Sequence, residues 1–171
     1  MNKPRIHWGI GLIEAMLFTV FFIIHYLNIL QIKRFHANAF LLLPFFIAFC
    51  MFAQELTAAF TGLTLGIFMD AFSSGSSLYN TFFLFILGTA IAVLVRYLLN
   101  VNFRSALMLS IVSSLVYYLL RWFLYYAFNH TLSDSTAYIM QYALPSVIYT
   151  NLFIIPFYFL QKRLNSLKKD R

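Results

Sequence analysis

Gly62, Gly66 and Asp70 fall four residues apart in the apolar run 56–90, and Gly75 follows in the serine-rich turn Ser73-Ser74-Gly75-Ser76-Ser77. Steps of four keep residues on one face of a helix with 3.6 residues per turn. Two glycines on such a face let a second backbone approach closely, and Ala58 and Ala59 extend the small surface. A carboxylate on the same face is costly inside a bilayer unless it has a partner, which makes Asp70 the first candidate for function.

Four more charges lie in or beside apolar segments: Glu14, Glu55, Arg96 and Arg121. Matched by depth, Asp70, Glu14, Arg96 and Arg121 sort into one acid and one base per leaflet, and Glu55 lies at the inner turn. Glu14 lies about six residues inside the first apolar segment, roughly 9 Å at the helical rise, on the level of Arg96 near the end of the fourth. Asp70 ends the third segment, within reach of Arg121 near the end of the fifth. Pairs Asp70–Arg121 and Glu14–Arg96 would neutralise each other and fix helix register. Snorkelling to headgroups would also serve Arg96, and Asp70 has a second possible role in capping or orienting the loop after it. Direct binding of an ion or substrate is the competing use of these charges.

Little else carries chemistry. Cys50 is the only cysteine, so neither an internal disulfide nor a cysteine metal site is expected. His7, His25, His36 and His130 are scattered, with no carboxylate at metal-ligand spacing. No nucleophile has a credible base, and no loop is built to cradle phosphate. The expectation is a protein without catalytic residues, cofactor or metal. Asn129-His130-Thr131 matches a glycosylation sequon, a three-residue pattern too short to weigh.

The elements that must position these residues follow from composition. Of 171 residues 62% are hydrophobic, 20% aromatic and 10% charged, against about 25% charged in a soluble domain. A soluble fold of this length leaves roughly 30% of its surface exposed and cannot hide so much apolar area. The chain is an all-α integral membrane protein of one domain. Polar breaks divide it into six segments, about 8–30, 39–53, 56–72, 78–99, 105–128 and 137–160, followed by a basic tail over 161–171. Since a spanning helix needs about 20 apolar residues, the second segment is a short span.

Gln54-Glu55 reads as a turn or as the middle of one bent helix, and charge bias favours the turn. Six spans place Lys3, Arg5, Arg96, Arg104 and the basic tail on one side, with Lys33 and Arg34 as exceptions, so both termini are expected in the cytoplasm. The first segment is too long for a signal-peptide core and lacks a small-residue cleavage site, so it reads as an uncleaved span. The net charge of +7 is concentrated beside the membrane, where it anchors to anionic lipid rather than to nucleic acid. The 21 Phe and 11 Tyr suggest lipid-facing surface and interfacial belts around Tyr117, Tyr118, Tyr125 and Tyr126. Pro44, Pro145 and Pro156 should interrupt their spans, and Asn80 and Asn151 each need a partner.

The run Phe60-Thr61-Gly62-Leu63, with Gly66 and Asp70, in a basic-tailed chain of this length and span count, resembles the rod-shape-determining membrane protein MreD family. The likeness covers the chain in length and hydropathy and is concentrated in residues between Phe60 and Gly88. The serine-rich stretch after Asp70 departs from it. That family is similar in turn to the six-span substrate-binding subunits of energy-coupling-factor vitamin transporters. The resemblance implies a non-enzymatic subunit of the bacterial elongation machinery in the cytoplasmic membrane, surrounded by membrane lipids. It further implies association with MreC and, directly or through it, with the MreB filament, RodA and its transpeptidase. Gly62, Gly66, Asp70 and Gly75 would then serve helix packing or partner binding. A substrate-binding subunit of a vitamin transporter is the alternative; its pocket would open outward and be lined by Asp70, Arg121, Asn80 and Tyr125.

Overall fold

The computed structural model describes residues 4–27, 31–32, 37–38, 40–72, 78–125 and 143–169. Its helices are α1 (Pro4–Tyr26), α2 (Leu42–Cys50), α3 (Glu55–Phe72), α4 (Tyr79–Tyr97), α5 (Phe103–Tyr125), α6 (Leu144–Leu152) and α7 (Ile154–Lys169). Between α1 and α2 a two-residue antiparallel ladder, not expected from the sequence, pairs β1 (Gln31–Ile32) with β2 (Ala37–Asn38). Among the described residues five stretches are long and apolar enough to cross a membrane: Gly9–Tyr26, α3, α4, most of α5, and α6 with α7 taken together over Leu144–Leu167. The protein is therefore an all-α, multi-pass membrane protein.

The second segment departs from its expectation. α2 has nine residues, about 13.5 Å at 1.5 Å per residue, and cannot cross a hydrocarbon core of about 30 Å. Every one of its residues is buried. A helix apolar on all sides must be enclosed by protein or lipid, and here α1, α3, α4, α5, α6 and α7 all pack around it. Its phenylalanines form the core with neighbours from outside: Phe45 lies 4.6 Å from Phe18, 4.8 Å from Phe21 and 5.4 Å from Phe157 between ring centroids. Much of the aromatic excess thus fills the interior instead of facing lipid.

Ring contacts also fix the helix directions. His25 meets Phe40, Phe21 meets Phe45 and Phe18 meets Phe49, so α2 runs antiparallel to α1. Phe22 and Tyr26 meet Phe72 at the other end of α3, which returns parallel to α1. Phe21 against Phe157 joins α1 to α7. Glu14 shares a cavity wall with Gln161 and Asn165, so α1 begins and α7 ends at the same end of the bundle.

The prolines act at helix starts. Pro44 lies in the first turn of α2, Pro145 at the first turn of α6, and Pro156 in the first turn of α7, just after the break at Phe153. A missing N–H costs nothing there, whereas it breaks a helix interior. The last helix is also longer than expected. α7 carries the chain to Lys169, and Gln161 and Leu164, placed by sequence in a polar tail, are buried.

Candidate functional site: a glycine and aspartate clamp between two helices

α3 turns Ala58, Ala59, Gly62, Leu65, Gly66, Met69 and Asp70 inward. The helix that meets this face is α4, which packs against α3 along its length. A methyl group at Gly62 would lie 2.9 Å from the Leu84 carbonyl carbon and from Phe46 Cζ, and would collide with the Leu84 carbonyl oxygen. At Gly66 it would lie 2.8 Å from Asn80 O and Thr81 N and would collide with Thr81 Cα. Gly88 answers from α4, where a methyl would sit 2.7 Å from Ala58 O. Real Cβ atoms do not approach backbone so closely, so these three positions must be glycine for the helices to touch. The expected close approach is present, and its partner is the next helix of the same chain.

Asp70 closes the contact. Leu78, the residue before α4, offers no side-chain cap to its own helix. Asp70 supplies the cap from α3 instead. Its Oδ1 accepts from the backbone N–H of Asn80 (3.1 Å) and from Asn80 Nδ2 (2.8 Å). Its Oδ2 accepts from the backbone N–H of Thr81 (2.8 Å) and from Thr81 Oγ1 (2.6 Å). The two amides belong to the orphan donors of a helix start, whose partial positive charge favours an anion. Four donors on one carboxylate, two of them main-chain, make a buried charge tolerable.

The network reaches α5. Tyr117 donates its hydroxyl proton to Asn80 Oδ1 (2.9 Å), and Tyr79 donates to the Tyr117 carbonyl (2.7 Å). Tyr117 and Tyr118 are buried, their rings 5.4 Å apart, so neither faces lipid as an interfacial belt would. Asn80 thereby finds its partners. Asn151 finds Ser114 Oγ and the Val147 carbonyl, both at 2.8 Å.

The charges rearrange accordingly. Asp70 takes its hydrogen bonds from the first turn of α4, and Arg121 is exposed on α5. Arg96 pairs with Glu55 at 3.0 Å and not with Glu14. Depth matching joins Glu14 to Arg96, but it contains no rotation about the helix axis, and α4 faces α3 rather than α1. Glu14 is buried on α1, beside Gln54, Thr57, Gln161 and Asn165. Gly75, the Ser73–Ser77 turn, Tyr126 and the 129–131 sequon lie outside the described residues, as does the start of the sixth segment. Among the described residues no three of His, Cys, Asp and Glu come together as metal ligands.

The donor pair Asn80-Thr81 is what sequence reasoning missed. The signal was available: an acid at the end of one helix, a short loop, then two side-chain donors at the second and third positions of the next. No protein-family model, curated protein or solved structure matches this chain.

Proposed function

We propose that this chain is a non-enzymatic scaffold subunit of the bacterial cell-elongation machinery, governing rod shape and peptidoglycan synthesis by binding MreC. MreB, RodA and its transpeptidase would be reached directly or through MreC. The chain would place both termini in the cytoplasm, with five membrane-spanning stretches and with α2, too short to span by itself, carrying the chain back inside the bundle between α1 and α3. The observation that carries this reading is the fate of Gly62, Gly66 and Asp70, the residues on which the family resemblance rests. Their backbone approach and hydrogen bonds are spent on α4, which suits a rigid platform for protein contacts. The transporter reading needs Asp70 and Asn80 to face a ligand, whereas both are engaged with each other and with Thr81 and Tyr117.

The test is genetic. Depleting the protein in its rod-shaped host should round the cells, with recovery by the wild-type gene and none by Gly66→Leu. Depleted cells that stay rod-shaped and lose uptake of a vitamin would overturn the scaffold reading.

A further inference from the structure

The seam between α5 and α7 reaches the bundle surface at the end where α5 begins. Phe103 stacks on Phe159 with ring centroids 5.9 Å apart and meets Tyr158 edge-on at 5.7 Å. Tyr158 donates its hydroxyl proton to the Val101 carbonyl at 3.4 Å, and farther along the seam Asn151 meets Ser114, so α5 runs antiparallel to α6 and α7. Phe159 is 55% exposed, which leaves the stacked pair on the surface.

Three cations surround that pair. Arg104 follows Phe103 directly, and Lys162 and Arg163 lie three and four residues after Phe159, on its face of α7 and about one turn farther out. All three are exposed. The Cα–Cβ bonds of a helix tilt toward its N-terminus. On α7 this directs Lys162 and Arg163 back toward Phe159; on α5, whose N-terminus is here, it directs Arg104 outward to meet them. The apolar stretch of α5 starts at Phe103, so the three charges lie at headgroup level.

No acid answers them among the described residues. Asp70 is spent on the first turn of α4, Glu55 on Arg96, and Glu14 is buried on α1. We propose that Arg104, Lys162 and Arg163 form a binding site for one anionic phospholipid, its phosphate among the three cations and an acyl chain over Phe159 along the seam. Basic residues gathered between spanning helices at this level recognise anionic headgroups. A zwitterionic lipid fits less well, because its ammonium would stand among three positive charges. An acidic protein segment would meet the cations but leave the aromatic pair uncovered. The sequence shows a basic end that attracts anionic lipid in general; the crossing of α5 and α7 makes one site of it. The site does not depend on the scaffold reading.

Native mass spectrometry of the full chain in detergent, mixed with phosphatidylglycerol or phosphatidylethanolamine of the same acyl chains, tests it. One phosphatidylglycerol should be retained about tenfold better than phosphatidylethanolamine, and Arg104→Gln, Lys162→Gln and Arg163→Gln should each lower its retention about fivefold. Arg96→Gln is the control: Arg96 is exposed at the same end of the bundle but already paired with Glu55, so its loss should change retention less than about twofold. Equal retention of the two lipids, or unchanged binding by Arg104→Gln, would overturn the proposal. An equal loss in Arg96→Gln and Arg104→Gln would overturn it as well, since a diffuse positive surface, and no site, gives that result. So would a photo-crosslinker at position 104 that captures a protein segment instead of lipid in native membranes.

Discussion

Replacing Asp70 with alanine should cost this protein about 2 to 4 kcal/mol of stability, and the structure gives two routes to that figure. Four hydrogen bonds are lost. Side-chain hydrogen bonds within membrane proteins average about 0.6 kcal/mol, so four of them come to about 2.4 kcal/mol. Counted from the other side, the main-chain N–H groups of Asn80 and Thr81 are stranded, at about 1–3 kcal/mol each, partly relieved wherever water enters. The loss should be felt in the pairing of α3 with α4. A double-mutant cycle with Thr81→Val identifies the partner: the valine keeps the backbone bond and removes one hydroxyl, so it should cost about 1 kcal/mol alone and less once Asp70 is alanine. Unfolding in mixed micelles, followed by circular dichroism, reads both numbers. A loss below about 0.5 kcal/mol for Asp70→Ala, or strict additivity with Thr81→Val, would refute the idea that Asp70 caps α4.

Gly66→Ala should destabilise by about 2 kcal/mol, as overpacking against backbone does, while Gly9→Ala should be neutral in the same assay, since nothing lies near it. Tyr117→Phe should cost about 1 kcal/mol through the lost bond to Asn80, visible in the same titration. Arg96→Ala should change stability by less than about 1 kcal/mol, because the pair with Glu55 is largely exposed. In intact cells, Leu78→Cys should label with an impermeant thiol reagent and Ser166→Cys should not; labelling at position 166 would contradict cytoplasmic termini.

The sequence made the inward face of α3 legible because a four-residue spacing of glycines and a carboxylate has few uses in a bilayer. It did not name the neighbour. Nothing in spacing alone says that α4 is met by this face, or that Asn80 and Thr81, ordinary polar residues at a helix start, are the donors Asp70 needs. Helix ends were read closely for α3 and α4, where polar breaks are sharp. They were misread in two places for opposite reasons. α2 looks like a span because hydropathy measures apolarity and not what supplies it, and protein on all sides demands the same residues as lipid. Gln161 looks like the start of a tail because its amide is polar, yet the helix continues and carries it into a pocket. Glu14 and Arg96 were joined by depth, the one coordinate that hydropathy supplies, while the rotation of α4 gave Arg96 to Glu55.

What the protein brings with it from the membrane separates a scaffold from a transporter subunit. Affinity purification of the full chain from its native membranes, with quantitative mass spectrometry, should recover MreC, a single-span partner, in near-equal amount, and Gly66→Leu should lose it. Recovery of ATPase subunits of a transporter in that place, with no single-span partner, would contradict the scaffold assignment.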